Sequence, residues 1–395
     1  MTLATPMPEP QTQDRSLCQR YPNGYFCATG INGGSDWVIQ CSGSSNNWLF
    51  IGPCGQGEYC QSNGQGEAFF KNVAVVGATG HIGQVFVSAL LKTGKHTITA
   101  LTRAESKSTT SATPPLPSSI KRVQVDYTDQ QTLVMALTGQ DFLIITLAVH
   151  ALPDTHSKLV TAAAAAGVPY VMPNFYGSNI RSPTLASDAF GAAIKQQLDE
   201  LESLKNLAYI SLACGTWYEW SLALGDAWFG FEIASRKATL YDDGRTPVHV
   251  STWTLCGRAV AALLSLPVSS DSSSPCLADW KNEPVYVESF RVSQREMLDS
   301  LHRVLGTTDD DWAIRYEPAA ERARDGLEEF TRGVPTGMAK HMYANLFVRS
   351  RAGEMELPEG RSLANQVLGL PEEDLDEATR RAVEMVQSGW NPLAG

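Results

Sequence analysis

The chain has 395 residues, 43% of them hydrophobic and 18% charged, with a net charge of −11 and a pI near 5.2. This composition excludes a disordered chain, and the acidic balance argues against a nucleic-acid surface, which needs a basic footprint. No apolar run approaches the ~18 residues of a membrane span, Met1–Ser16 lacks the basic and apolar regions of a secretory leader, and at ~100–200 residues per domain the length predicts two or three domains.

The first 66 residues differ from the rest. Five of the eight cysteines (Cys18, Cys27, Cys41, Cys54, Cys60) and ten of the 32 glycines lie there, and the first lysine is Lys71. The cysteine spacing has no C-x2-C pair and no neighbouring histidine, so it is not a zinc pattern. It reads as a disulfide framework for a module too small to build a sufficient core. Tyr25-Phe26-Cys27, Trp37–Cys41, Trp48 and Cys54-Gly55-x-Gly57-x-x-Cys60 resemble small secreted cysteine-rich modules of fungi. Five cysteines leave one unpaired. Two explanations stay open: a module with two disulfides and a spare thiol, or a fusion of a secreted fragment to a cytosolic body.

The body opens with the β-branched run Asn72–Val76, then Gly77-Ala78-Thr79-Gly80-His81-Ile82-Gly83, then the apolar-periodic segment Gln84–Leu91. This predicts strand, tight turn and helix. Gly77 makes the turn, Gly80 lets backbone approach a pyrophosphate, and Gly83 lets the helix pack close to the strand. The anion then sits on free N–H groups at the helix N-terminus. A second strand, His96–Thr102, ends in Arg103, at the position where NAD enzymes place an acidic residue on the ribose hydroxyls. A guanidinium there takes a 2′-phosphate bidentately, so NADP is favoured, with Lys107 assisting; Glu105 keeps NAD open.

Strand and helix signals then alternate. Lys121–Val125 is a strand followed by Asp126-Tyr127, and Thr128 or Asp129 caps a helix through Leu137. Phe142–Leu147 is a buried strand, Thr155–Ala166 a helix stopped by Gly167, and Pro169–Met172 a fifth strand. A helix lies within Leu185–Leu204, and Leu207–Leu212 is a sixth strand. The alternation predicts an α/β fold: a doubly wound parallel (Rossmann) sheet over residues 67–215, with a smaller α+β lobe over 216–395. Ligands of such sheets bind at the carboxyl ends of the strands. The expected site walls are therefore Gly77–Gly83, Ala148–Leu152 and Pro173–Ile180, with Ala148, Pro173, Asn174 and Phe175 as cofactor-side candidates. In the lobe, Ser293-Gln294-Arg295-Glu296 is a capping box that opens a helix through Leu305, with Gly306 as its stop. Glu321–Thr331 and Glu372–Gln387 are polar or charged helices. Cys214, Cys256 and Cys276 have no metal-ligand spacing.

Gly-Ala-Thr-Gly-x-x-Gly, Leu-Thr-Arg, Val-Asp-Tyr, Val-Pro-Tyr-Val-Met-Pro-Asn at 168–174 and Lys-Ala-Thr-Leu-Tyr-Asp-Asp-Gly at 237–244 resemble, together and in order, the NmrA-like and isoflavone-reductase-like atypical short-chain dehydrogenases. The resemblance implies a dinucleotide domain with a smaller substrate lobe and NADPH as cofactor. It places Gly77, Thr79, Gly80, Ile82 and Gly83 in the phosphate loop, with His81 as a variable loop residue. Arg103 falls on the 2′-phosphate and Asp126-Tyr127 on the adenine side. It implies Lys195 as the catalytic lysine. No tyrosine is followed by lysine four residues later, which removes the Tyr-x-x-x-Lys mechanism. Phe175 stands where relatives often carry glutamate.

Lys195 lies beside the apolar stripe Ile194, Leu198, Leu201 and Leu204. It is either a proton donor near the nicotinamide or a solvated lysine pairing with Asp199; an amine turned to bulk water argues for the second. Trp217, Tyr218, Trp220, Trp228, Phe229 and Phe231 pack mostly between sheet and lobe, with one or two facing the pocket. Two functions follow. The first is a cytoplasmic NADPH-dependent reductase of a small aromatic or conjugated secondary metabolite. The second is a non-catalytic dinucleotide-binding redox sensor that regulates a protein partner. A nucleic acid or membrane partner is not expected, nor a metal. The head is a third element, a surface- or carbohydrate-binding module under a weaker reading.

Overall fold

The computed structural model divides the chain into two units, Met1–Phe70 and Lys71–Gly395. It describes residues 25–31, 35–41, 48–53, 71–103, 116–148, 151–152, 154–177, 179–187, 189–270, 274–351 and 357–392. In the first unit, β1 (Tyr25–Ile31), β2 (Ser35–Cys41) and β3 (Trp48–Pro53) form an antiparallel sheet with β2 in the centre. Cys27 and Cys41 lie on β1 and β2. Cys18, Cys54 and Cys60, and the pairing of all five, fall outside the described residues.

The second unit begins with β4 (Lys71–Val76), α1 (His81–Lys92), β5 (His96–Arg103), β6 (Lys121–Val125) and α2 (Gln130–Leu137). It continues with β7 (Phe142–Ile145), α3 (Thr155–Ala166), β8 (Tyr170–Met172), α4 (Ala189–Ser203) and β9 (Ala208–Ala213). Propensity and caps explain the local boundaries. Asp129 caps α2 by accepting from the Gln131 amide at 2.9 Å. Gly167 ends α3 in the left-handed region at φ 77°, where glycine carries no Cβ penalty. The strands alternate between two cores. Val73 and Val75 face α1, whose Ile82, Phe86 and Leu90 are buried, while Ala74 and Val76 face the cluster that contains Leu133, Leu159 and Leu201. Both sheet faces are covered, which is why the strands read as nearly unbroken apolar runs.

After β9 the chain forms β10 (Thr216–Trp217), α5 (Tyr218–Ala223), α6 (Asp226–Phe229), β11 (Phe231–Glu232), β12 (Lys237–Tyr241) and β13 (Pro247–Ser251). There follow α7 (Trp253–Leu264), β14 (Glu283–Tyr286), β15 (Phe290–Ser293), α8 (Gln294–Leu305) and β16 (Ala313–Glu317). Three helices complete the lobe: α9 (Ala319–Thr331), α10 (Thr336–Arg351) and α11 (Leu375–Gln387). The capping box at α8 forms as read: the Ser293 amide donates to Glu296 at 2.8 Å, and Gly306 closes the helix at φ 66°.

The large sheet has seven strands in the order β14-β9-β8-β7-β4-β5-β6. Its strands are parallel. One of these strands comes from beyond the expected division at 215/216. β14 returns from the later segment to pair with β9, and α7 packs on α1, with Gly257 against Val85 and Ala89. The smaller sheets β10-β13-β15 and β11-β12-β16 form the mixed C-terminal lobe. The lobe core holds a buried arginine. Arg322, 2% exposed, bonds Asp226 at 2.6 Å and Glu317 at 2.7 Å and stands 4.9 Å from the Tyr241 ring centroid.

Candidate active site at the strand ends

The chain leaves β4 and fills β5 and β6 on one side, then returns through β7, β8 and β9 on the other. The switch point therefore lies between β4 and β7, and a crevice opens there at the carboxyl ends. The glycine turn occupies it. Gly77 adopts φ +76°, and a Cβ on it would overlap the Thr146 carbonyl. A Cβ on Gly83 would overlap the Gly77 carbonyl, so α1 starts pressed against the turn. Thr146, just past β7, locks the arrangement by donating its hydroxyl to the Val76 carbonyl at 2.6 Å. The sequence reading missed this residue; its only signal was a lone hydroxyl closing an apolar run.

The helix begins inside the predicted turn, at His81 rather than Gln84. The Gly80 amide bonds the Gly77 carbonyl at 2.8 Å, and the first helical bond runs from the Gln84 amide to the Gly80 carbonyl at 2.9 Å. The amides of His81, Ile82 and Gly83 precede that bond, and no side chain caps the helix. Gly80, at φ −73°, has only the Gly77 carbonyl near its missing Cβ, at 3.2 Å. A backbone surface with open amides and no side chains suits an anion at the positive end of the helix.

Arg103 ends β5 exposed, in register with Val125 of β6, so it stands beside Asp126-Tyr127. Asp126 is exposed, and the Thr128 hydroxyl and amide, at 2.7 and 2.8 Å, hold its carboxyl below the usual range. Burial pushes the Tyr127 phenol up, against the opposing charge of Arg103. Ala148 is exposed beyond β7, and the Asn174 side chain ties the next loop to it by donating to the Leu147 carbonyl at 3.2 Å. Pro173 is buried at the end of β8. Gly77, Thr79, Gly80, His81, Gly83, Arg103, Asp126, Tyr127, Ala148, Pro173 and Asn174 thus all stand at the carboxyl ends of β4 to β8. Lys107 falls outside the described residues.

Three expected site residues stand elsewhere. Ile82 is buried in the core under α1. The Phe175 amide turns back onto the Pro173 carbonyl at 2.7 Å, which sends the ring, 4% exposed, into the opposite core. There it stacks on His156 at 5.7 Å, so it adds no apolar wall to the cleft. Lys195 is half exposed and its amine pairs with Asp199 one turn along α4. This is the solvated pairing set against a catalytic role, and it follows from the helix register, which buries Leu198 and Leu201 instead.

The aromatic run after β9 also divides. Tyr218, Phe229 and Phe231 are fully buried in the lobe core. Trp217 and Trp220 instead join Trp253 and Trp390 beside the glycine turn. The His81 ring lies 5.6 Å from Trp220, 6.0 Å from Trp253 and 5.7 Å from Trp390, and this cover pulls its pKa down. His81 is thus packed by three chain segments, a role its motif position did not reveal.

Fold and turn together define the class: a Rossmann-like α/β protein with a glycine turn at its switch point and a smaller mixed lobe. Residues 70–210 match the model of the NmrA-like family. The chain is 28% identical over 311 residues to the oxidoreductase aprR of Aspergillus flavus, covering 77% of this chain and 96% of that one. It is 24% identical over 313 residues to the oxidoreductase poxI of Penicillium oxalicum, covering 78% and 92%. Among solved structures, the fold is similar to pinoresinol-lariciresinol and phenylcoumaran benzylic ether reductases, with a TM-score of 0.61 at 18% identity over 79% of this chain and 99% of that one. It is also similar to an NADPH-dependent quinone oxidoreductase of Escherichia coli, with a TM-score of 0.55 at 20% identity over 78% and 98%. Over residues 70–210 the chain is thus similar to the NmrA-like family, and the body as a whole shares the fold of those reductases.

Proposed function

We propose that the protein is an NADPH-dependent reductase of the isoflavone-reductase-like type, acting on a small aromatic or conjugated metabolite. The observation that carries this reading is the side-chain-free cradle of Gly77, Gly80 and Gly83 at the switch point, with Arg103 on the neighbouring strand end. The first-turn amides of α1 would hold the pyrophosphate, Arg103 the 2′-phosphate, and Tyr127 the adenine side. The reduced nicotinamide supplies the hydride when bound. Relatives bearing the name oxidoreductase, and similar folds described with NADPH, support the reading.

Calorimetric titration with NADPH and NADH, followed by NADPH oxidation over a panel of phenolics, enones and quinones, tests it. Tight NADPH binding, weaker NADH binding and turnover of at least one conjugated compound are expected. Arg103→Ala should lose ~10–100-fold in NADPH affinity, the worth of a charged hydrogen bond, and leave NADH unchanged. Absence of NADPH binding refutes the proposal.

The exposed pairing of Lys195 favours a second reading, in which the chain binds the dinucleotide as a sensor and regulates a protein partner. Binding without turnover on any compound of the panel would select it.

A further inference from the structure

We propose that His249 and Glu288 form a proton-transfer dyad at the reacting end of the cleft; the inference rests on the dinucleotide reading above. His249 lies on β13, and its Nδ1 pairs with the Glu288 carboxylate. Glu288 follows β14, the seventh strand of the large sheet. Asn365 clamps its backbone from both sides, accepting from the Glu288 amide at 3.2 Å and donating to its carbonyl at 2.8 Å. The backbone of Glu288 is thus fixed, and its carboxylate holds the imidazole by one nitrogen. Nε2 has no partner among the described residues and is not enclosed. The two side chains are 15% and 18% exposed, dry enough to strengthen the pair and open enough for one substrate atom.

Topology supplies the location. The adenine end of a dinucleotide on this sheet runs toward Arg103 and Tyr127, so its nicotinamide end runs the other way, over β7 and β8. A substrate beyond it meets the end of β9. There Gly215 stands at φ +65°, and a Cβ on it would overlap the His249 carbonyl. The Gly215 amide bonds the Gly177 carbonyl of the loop after β8 at 3.1 Å. β9 lies three strand spacings from the phosphate turn, about 14 Å. The missing side chain at Gly215 brings the dyad's strand directly onto the cleft edge. On α4, by contrast, Lys195 pairs with Asp199 in an exposed position.

In the proposed step a hydride adds to the electrophilic carbon of a carbonyl or enone, and the displaced π electrons move onto the substrate oxygen. His249 delivers the Nε2 proton to that oxygen and stays bonded to Glu288 through Nδ1; water then restores the proton. One hydride and one proton are consumed for each two-electron reduction. His249 is the catalytic residue and Glu288 a positioning residue.

Diethyl pyrocarbonate labelling of the full chain, mapped by mass spectrometry, tests the placement without turnover. His249 should be acylated in the free protein and several-fold more slowly under saturating NADP+, with binding followed in parallel by calorimetry. Binding without protection, or an unreactive His249, overturns the dyad and leaves the cofactor reading standing. Failure of NADP+ to bind overturns the cofactor reading itself. On any enone or quinone the protein reduces, His249→Gln should lose ~100-fold in kcat with NADPH affinity unchanged. Glu288→Gln should lower kcat with KM unchanged. Retention of kcat in His249→Gln would reduce the pair to a structural tie between lobe and sheet, and the proposal would fall.

Discussion

Replacing His156 with leucine should remove a built-in acid sensitivity. His156 is 3% exposed on α3, and neither ring nitrogen has a hydrogen-bond partner among the described residues. Its neighbours are apolar, with Phe175 stacked on one face. Burial pulls its pKa from 6.5 to about 4. The unfolded chain therefore takes a proton near pH 6.5, whereas the folded chain refuses it until about pH 4. Between those values the unfolded state binds more protons, so stability falls as pH falls. Each pKa unit is worth 1.36 kcal/mol, and the shift amounts to ~3 kcal/mol lost by pH 4. Urea unfolding followed by circular dichroism at pH 7, 6, 5 and 4.5 measures it. The His156→Leu protein should match or exceed wild type at pH 7, since an orphaned polar group is replaced by an apolar one. It should then lose less stability on acidification. Part of the residual loss belongs to His96, which burial and the charges of Lys71 and Lys95 also hold near 4, and part to His81 and to carboxylates held low, such as Asp226. Equal acid-induced losses in the two proteins would refute the reasoning.

Three further outcomes follow from the site and the lobe. Gly83→Ala drives a Cβ into the Gly77 carbonyl and should lower stability by ~2–3 kcal/mol, whereas Gly80→Ala should keep the wild-type urea midpoint and lose NADPH affinity by calorimetry. Equal effects of the two variants on folding would contradict the division of roles in the turn. Arg322→Met leaves Asp226 and Glu317 only their exposed partner Arg315 and should cost ~1–3 kcal/mol, read as a drop in unfolding midpoint. Lys195→Ala removes only an exposed pair and should change stability by less than ~0.5 kcal/mol, with turnover kept; a large fall in kcat would restore the lysine to the mechanism.

The sequence disclosed whatever is encoded locally. β4, the glycine turn, β5 with Arg103, β6 with its Asp-Tyr corner and the capped α8 all carry their signals within a dozen residues. What it concealed depends on distant partners. β14 reads as an ordinary polar segment, Glu-Pro-Val-Tyr, and becomes the seventh strand only because β9 offers an unpaired edge. Phe175 has the spacing of a site residue, but the turn at Pro173 sends it inward. Lys195 sits at the edge of an apolar stripe, and a rotation of α4 by one residue decides whether it faces a cleft or water. His249 and Glu288 are 39 positions apart with no motif between them; the glycine at 215 that seats their strand was invisible as a contact.

The packing of Trp217, Trp220, Trp253 and Trp390 about His81 gives the protein a spectroscopic handle. Indole emission overlaps the absorption of a reduced nicotinamide, and four of the nine indoles gather beside the loop that would hold the cofactor. Energy transfer makes loading visible as a quench, and Trp390, the last described aromatic before the chain end, makes the signal sensitive to that tail. Clipping the chain before Trp390 should therefore dim and shift the emission before it changes any affinity.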